Sequence, residues 1–140
     1  MKYFAIAASV LLLGTVAATA DPVEDRQAHM KERGGAMRVL VPIAQEKNPF
    51  DAAAVMDALQ VLEANAESLD IDALWPAGSE GGKSSPKIWE DMDGFKAAHE
   101  KYDADVEAAI AANPQDLASF QAVFGTVASN CGSCHEAYRL

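Results

Sequence analysis

The sequence predicts an all-α protein: an antiparallel up-down-up-down four-helix bundle formed by residues 21–140. Two observations lead to this prediction. Four times an Asp, Asn or Ser stands directly before a proline, and apolar residues recur at helical spacing in each segment that follows. Proline is tolerated at the first helical position, and the residue before it can cap the free amides of the first turn. No alternating strand pattern and no internal repeat competes with this interpretation.

The four proline pairs divide the chain into four predicted helices. The pairs are Asp21-Pro22, Asn48-Pro49, Ser85-Pro86 and Asn113-Pro114. The resulting segments are 22–46, 49–69, 86–112 and 114–139. Three of the caps are followed three residues later by an acid, which suits the positive start of a helix: Glu24, Asp51 and Asp116. The stretch LWPAGSEGGKSSP is the one long predicted loop, and the short connections elsewhere make neighbouring helices antiparallel.

Each predicted helix carries an apolar stripe with spacings of three and four residues. The second stripe is Ala52, Val55, Leu59, Leu62, Ala66, Leu69, and the third is Ile88, Met92, Phe95, His99, Tyr102, Val106, Ala109. The fourth is Leu117, Phe120, Phe124, Val127, Cys131, Cys134, Tyr138. The first is weaker, with Pro42 expected to kink its helix, and consists of Val23, Gln27, Met30, Gly34, Met37, Val41, Ala44. Four such stripes predict a common core.

Residues 1–20, MKYFAIAASVLLLGTVAATA, have the pattern of a secretory signal peptide. Lys2 supplies the positive charge, an apolar stretch follows, and Ala18-Thr19-Ala20 forms a small-x-small cleavage site. The apolar stretch is short for a membrane span, which needs about 20 residues. We therefore expect cleavage after Ala20, a mature chain of residues 21–140 in the periplasm, and no membrane span after cleavage.

The two cysteines of the chain, Cys131 and Cys134, are followed directly by His135. C-x-x-C-H is the attachment signature of a c-type haem, in which the thiols form thioether bonds and the histidine is an axial ligand of the iron. Both cysteines fall on the fourth apolar stripe, and His135 lies on the same helix face one turn after Cys131. The sequence therefore predicts one covalently bound haem c near the end of the bundle where the last helix stops.

Two other interpretations of the cysteine pair are a disulfide, which an oxidising compartment would permit, and a thiol–disulfide oxidoreductase site. The adjacent histidine and the helical spacing favour haem over a disulfide. A redox-active C-x-x-C begins a helix after a strand, whereas this pair lies late in a predicted helix. Electron transfer by a haem needs no catalytic acid, base or nucleophile, and we predict that the protein is not an enzyme.

The mature chain is strongly acidic. Residues 21–140 contain 10 of the 11 basic residues and all 21 acidic ones, which gives a net charge of −11 with neutral histidines. Such a surface argues against nucleic acid and against anionic lipid as partners. We expect redox partner proteins that carry a basic docking patch.

Depth along each predicted helix indicates which residue reaches the other face of the iron. The haem end of the bundle gathers the start of the first helix and the end of the fourth. At about 1.5 Å per residue, His135 lies roughly 6 Å from its helix end and Met30 about 12 Å into the first helix. Met30 is the leading candidate for the second axial ligand, and Met92 has a suitable depth as well. Three further residues are expected in the core: Met37, Met56 and His99.

The chain resembles the class II c-type cytochromes, the family of cytochrome c′ and cytochrome c-556, over essentially all of residues 22–140. The similarity rests on the stretches RQAHMKERGGAM, WPAGS, SSPKIWEDMDGF and CGSCHEAYR. It implies that Cys131 and Cys134 attach the haem and that His135 is the proximal ligand. Around the haem propionates it implies four residues: Arg26, Gln27, Ser79 and Glu80.

The family divides at the residue four positions after the first-helix arginine, which here is Met30. A methionine that binds iron gives a low-spin electron carrier of the c-556 type, and AHMKERGGAMRVL and SSPKIW are closer to that type. A non-coordinating residue gives a five-coordinate, high-spin cytochrome c′ that binds NO or CO. The resemblance therefore implies a periplasmic monohaem one-electron carrier, with the cytochrome c′ type as the alternative. It also implies that a homodimer would use the outer faces of the first two helices.

Overall fold

A computed structural model describes residues 21–140; the predicted signal peptide, residues 1–20, lies outside the described residues. Six helices follow one another along the chain: α1 (Pro22–Ala44), α2 (Ala52–Glu67), α3 (Ile71–Leu74), α4 (Lys87–Glu90), α5 (Met92–Ala111) and α6 (Leu117–Tyr138). No helix within residues 21–140 combines the length and the apolar composition that crossing a membrane requires.

The four long helices α1, α2, α5 and α6 pack as a bundle, which confirms the predicted fold class. α1 packs against α2, α2 against α5, α5 against α6, and α6 against α1. Their shared core is made of buried aliphatic and aromatic side chains that include Leu40, Leu59, Val106 and Phe120. Since burying one such side chain contributes about 1.5–3 kcal/mol, this core holds the four helices together.

Three of the four predicted stripes are largely buried. The first is wrong in its first half only, since Met37, Val41 and Ala44 pack against the core. The α2, α5 and α6 stripes supply most of the core. On α1, however, the buried residues are Arg26, Ala36, Leu40 and Ile43, whereas Gln27 and Met30 are exposed. The prediction failed because an arginine occupies a buried position of α1, so a count of apolar residues selects a neighbouring face of the helix.

Aspartates begin the long helices. Asp21 caps α1 ahead of a proline, as predicted, and its carboxylate accepts a hydrogen bond from the amide of the second helical residue at 2.8 Å. The predicted caps Asn48 and Asn113 are wrong, because α2 and α6 begin three residues later, after Asp51 and Asp116. Both aspartates have extended backbone conformations, and an ionised carboxylate suits the positive helix start better than a neutral amide.

Asp91 divides the predicted third helix into the short α4 and the long α5. It leaves the helical conformation, and its Oδ1 accepts a hydrogen bond from the amide of Gly94 at 3.2 Å, so that it caps α5. The hydroxyl of Tyr138, the last residue of α6, donates to the other carboxylate oxygen at 3.0 Å. The break therefore fastens the end of α6 to the start of α5.

The loop of residues 75–86 joins the start of α1 to the end of α6. The guanidinium of Arg26 donates to the carbonyl oxygen of Ser79 at 2.7 Å. At the far side of the loop, an antiparallel bridge pairs Ser84 with Arg139, the residue after α6. The start of the first long helix and the end of the last one therefore lie at the same end of the bundle, as the predicted depths require.

A polar network lies between α1, α2 and α5. Nε of Arg33 donates to Oδ1 of Asn65 at 2.6 Å, and its Nη2 lies 3.2 Å from Nε2 of His99. Because a guanidinium has only donors, His99 accepts this bond through an unprotonated nitrogen. The amide nitrogen of Asn65, which is 2% exposed, in turn donates to the carboxylate of Glu32 and to the backbone carbonyl of His29.

We expect an alanine at Gly94 to destabilise the bundle. A Cβ there would lie 2.5–2.7 Å from both carboxylate oxygens of Asp91 and from the hydroxyl of Tyr138. Gly94→Ala should lower the free energy of unfolding by about 1–2 kcal/mol through loss of the cap and of the Tyr138 hydrogen bond. The matched control is Gly125→Ala on α6, where nothing lies within 4 Å; it should raise that free energy by up to about 1 kcal/mol. Urea denaturation followed by circular dichroism measures both, and a Gly94→Ala protein as stable as the unmodified one would refute the expectation.

The stability of the fold should decrease as the pH falls below about 6.5. Burial first, and then the charge of Arg33, lowers the pKa of His99 below its usual value; Asp103 and Glu100 oppose this, and His29 adds to it. The unfolded chain therefore binds more protons than the folded chain in this range, and protonation favours unfolding. His99→Gln keeps an acceptor but removes the titrating group. Its free energy of unfolding should fall less between about pH 7.5 and about pH 5.5, and equal losses in both proteins would contradict the assignment.

Candidate haem-binding site

The end of α6 carries Cys131, Cys134 and His135. Both thiols are half-buried, and His135 is exposed. Cys134 packs against a smaller cluster of buried side chains at this end of the bundle, the end cluster, which consists of Leu69, Leu74, Trp75, Ile88, Phe95 and Tyr138. Positions separated by three and four residues share one side of a helix. Two thiols and an imidazole are thus presented together, three residues before α6 ends at Tyr138.

Burial and nearby cations set the ionisation of these three groups. Burial raises the pKa of the Cys131 and Cys134 thiols, and the positive charge of Arg33 opposes it. For His135, partial burial and then the charges of Arg139 and Arg33 all lower the pKa. Neutral imidazole is the form that binds a metal. The surroundings therefore favour the ligating form of His135.

Among residues 21–140, Met30 is the methionine with an exposed side chain. It is 40% exposed on α1, whereas Met37 packs against the main core and Met92 packs against the end cluster. Met56 is half-buried. The expectation that Met30 lies on a buried stripe is thus wrong, while its depth in α1 is as predicted. Its sulfur is therefore accessible to a bound cofactor.

Arg26 is the buried cation of this end of the bundle. It is 4% exposed, and its guanidinium lies 5.4 Å from the ring centroid of Trp75 and 5.6 Å from that of Trp89. Its two terminal nitrogens donate to the hydroxyl and the carbonyl of Ser79, and within residues 21–140 its Nε has no partner. Burial lowers the pKa of Arg26, and the acids Asp21 and Glu80 oppose this.

The structure brings the four residues implied by the resemblance to one corner of the bundle. Ser79 is bonded to Arg26, and Glu80 acts on it through its charge. Gln27 is exposed and lies beside the loop at Gly82, where a Cβ would come within 3.3 Å of its Nε2. Gly82 also has a φ of +63°, so the close approach of this loop to α1 requires glycine.

Sequence reasoning missed Arg33, Trp75 and Trp89. One signal could have found the arginine: Arg33 follows Arg26 by seven residues, which is two helical turns and places both on one face of α1. A search for apolar residues alone does not detect either arginine on the buried face. The tryptophans flank the predicted loop, but their stacking on Arg26 depends on how the loop closes, which sequence spacing does not reveal.

Comparisons with known proteins show the family of the chain. The family model of cytochrome C' matches residues 21–139. A cytochrome c-556 from Agrobacterium fabrum is 38% identical over 144 aligned positions, covering 100% of this chain and 97% of that protein. A cytochrome c' from Alcaligenes xylosoxydans is 33% identical, covering 85% of this chain and 93% of that one. A solved nitric oxide complex of a mutant cytochrome c prime from Alcaligenes xylosoxidans superposes with a TM-score of 0.74 at 31% identity, covering 84% of this chain and 93% of that one.

The fold, the position of the C-x-x-C-H sequence at the end of α6 and these similarities lead to one conclusion. The chain belongs to the cytochrome c′ and c-556 family of class II c-type cytochromes, which are haem proteins without enzymatic activity.

Proposed function

We propose that this protein is a periplasmic one-electron carrier of the c-556 type, with one haem c attached to Cys131 and Cys134. His135 and Met30 would hold the iron of this haem, which would then be low-spin. The observation that carries the proposal is the placement of two thiols and an imidazole on one side of α6, at the bundle end where the early part of α1 also lies. The similarity to cytochrome c-556 of Agrobacterium fabrum supports the choice of type.

The residues at this end fit a c-type haem. The two thiols supply the sulfurs of two thioether bonds, and the imidazole and the exposed thioether are donors suited to haem iron. The buried Nε of Arg26, without a partner in the described chain, suits a propionate carboxylate, because charged pairs make the stronger hydrogen bonds. A bound haem supplies the reversible gain and loss of one electron.

The residues of the chain determine how readily a bound haem accepts the electron. A neutral His135 is ready to bind a metal, and methionine as the second ligand favours the reduced form of haem iron. The end cluster keeps water away from the Cys134 side, where the rings of Trp75 and Phe95 pack edge to face with centroids 4.9 Å apart. No acid, base or nucleophile is required.

Export and domain organisation are part of the proposal. We infer that residues 1–20 are removed as a signal peptide and that residues 21–140 are the mature cytochrome domain in the periplasm. The family match begins at residue 21, where the small-x-small pattern predicts cleavage. Two exposed valines on the outer faces of α1 and α2, Val39 and Val61, support a homodimer through these helices.

A second candidate function is that of a gas-binding cytochrome c′. The similarity to a nitric oxide complex of cytochrome c prime from Alcaligenes xylosoxidans favours it. In that case Met30 would not bind iron, His135 alone of the two residues would hold the haem iron, and the iron would be free to bind NO or CO. The two candidates share the attachment through Cys131 and Cys134 and the proximal ligand His135, so the state of Met30 distinguishes them.

Covalent attachment is tested by denaturing electrophoresis with a haem stain. Colour should stay with the unmodified polypeptide, because thioether bonds survive denaturation. Cys131→Ala together with Cys134→Ala should lose the colour. A colourless unmodified polypeptide would instead favour a disulfide or a thiol–disulfide exchange function for the pair.

The ligation of Met30 is tested by a visible and near-infrared spectrum. If its sulfur binds iron, the oxidised protein should be low-spin with a weak methionine-to-iron charge-transfer band, and CO should bind the reduced protein slowly. Met30→Ala should turn the iron towards high spin and speed CO binding. Met92→Ala is the matched control: its side chain packs in the end cluster, so the spectrum should stay nearly unchanged. A high-spin spectrum of the unmodified protein at neutral pH would overturn the electron-carrier proposal in favour of gas binding.

We also expect the encounter with redox partners to depend on charge. The net charge of −11 over residues 21–140 attracts a partner with a basic patch, and salt shortens the reach of that attraction to about 8–10 Å. The bimolecular rate of electron transfer to a basic redox protein should therefore fall as ionic strength rises, measured by stopped-flow absorbance. A small neutral electron donor is the control and should show little change. A rate to the basic partner that is independent of salt would contradict the proposed partner class.

A further inference from the structure

Arg33 lies on the same face of α1 as Arg26, one turn after Met30, and groups from two other helices, α2 and α5, fix its position. Its Nε donates to Oδ1 of Asn65 on α2 at 2.6 Å. On α5, its Nη2 lies 3.2 Å from Nε2 of His99, and its Cζ lies 4.6 Å from the centroid of the Tyr102 ring. The guanidinium is held by hydrogen bonds at two of its nitrogens and by an aromatic ring against one face. Its position, and therefore that of its charge, is fixed in the bundle interior.

The direct partners of Arg33 are neutral, and the acid Asp103 acts on it through its charge without forming an ion pair within 4.0 Å. Asn65 is neutral, His99 accepts through an unprotonated nitrogen, and burial raises the pKa of Tyr102 to about 12. Within residues 21–140, the side-chain ion pairs closer than 4.0 Å are Lys96–Asp72 and Lys101–Asp105, and neither includes Arg33. A half-buried guanidinium with neutral partners keeps a full positive charge in a region of lower dielectric constant than water.

That charge reaches all three residues of the attachment sequence. Arg33 is the first charged group, after burial itself, among the influences on the thiols of Cys131 and Cys134, and it also acts on His135. Tyr102 provides a geometric link: its ring lies beneath Arg33, and it belongs to the same buried cluster as Val127 of α6, whose carbonyl oxygen lies 4.0 Å from Sγ of Cys131. The guanidinium therefore lies in the bundle interior, close enough to the attachment sequence for its charge to act on these residues.

We propose that Arg33 is the fixed cation of the haem site and raises its reduction potential. This inference rests on the proposed attachment of a haem at Cys131 and Cys134, but not on ligation by Met30. A one-electron reduction adds one negative charge to the site, with the electron delivered by a redox partner. A positive charge fixed nearby favours the state with the additional electron, and Asn65 and Tyr102 serve as positioning residues that hold it there.

Potentiometric titration of the haem-loaded protein tests the proposal. Arg33→Met removes the charge but keeps a side chain of similar length, and the midpoint potential should fall. We expect roughly a tenfold change in the equilibrium with a reference couple, which for one electron is about 59 mV. Arg33→Lys keeps the charge and should restore most of the difference, which a merely structural role would not produce.

Arg38→Met is the matched control, since it removes the same charge from an exposed position of the same helix. Its potential should change much less. If Arg33→Met does not accumulate, Arg33→Gln makes the same comparison while retaining a donor for Asn65. Equal shifts in the Arg33 and Arg38 variants, or a neutral variant with an unchanged potential, would overturn the proposal. A high-spin spectrum would refute ligation by Met30 without affecting this comparison, so the two failures are distinguishable.

Discussion

The buried guanidinium of Arg26 makes the contacts on which the end of the bundle with the candidate haem site depends. Placing a charge at 4% exposure costs several kcal/mol unless other groups replace its hydration. Here the replacement comes from the carbonyl of Ser79 at 2.7 Å and from the faces of Trp75 and Trp89. These groups come from the loop and from α4, whereas Arg26 is on α1. The loop and α4 can therefore make these contacts only when α1 lies beside them.

This constraint is passed on to α6 through the same loop. The indole nitrogen of Trp75 donates to Oγ of Ser84 at 3.2 Å, and Ser84 pairs with Arg139. Tyr138 donates to Asp91, which also begins α5. The turn that carries His135, the predicted iron ligand, is therefore fixed from two directions. The position of His135 is therefore set by the contacts that hold the end of α6, those of Tyr138 and Arg139.

The parts of the fold that the sequence could predict are those governed by apolar spacing alone. The stripes of α2, α5 and α6 follow it because their buried faces are made mainly of residues such as Leu59, Val106 and Phe120. The first half of α1 does not follow it, since Arg26 and Arg33 occupy inward positions that a polarity rule assigns to solvent. Helix starts were mistaken where two good caps competed within three residues, and spacing gives no rule for that choice.

The candidate site divides in the same way. The sequence indicates candidate attachment residues because C-x-x-C-H has a fixed chemical meaning and a fixed helical spacing. The stacking of Arg26 on two tryptophans was not, because it depends on the path of a loop of residues 75–86 whose glycines allow many conformations. The exposure of Met30 also depends on the rotation of α1 about its axis, which the two inward arginines determine. Assigning an inward arginine to the surface therefore also gives the wrong environment for Met30, the predicted ligand.

The charges of this protein have two electrostatic roles that its net charge alone does not reveal. Surface acids act on partners, and the two inward arginines act on the site. The acids of the surface act across water, where salt limits their reach to about 8–10 Å, so they influence which partners approach. Arg26 and Arg33 act inside the protein, where the lower dielectric constant strengthens their effect and salt screens it little. A chain with a net charge of −11 can therefore present a negative surface to its partners and a positive interior to its own site. Because the two sets of charges lie in different media, substitutions in one can change partner encounter while leaving the energetics of the site nearly unaltered.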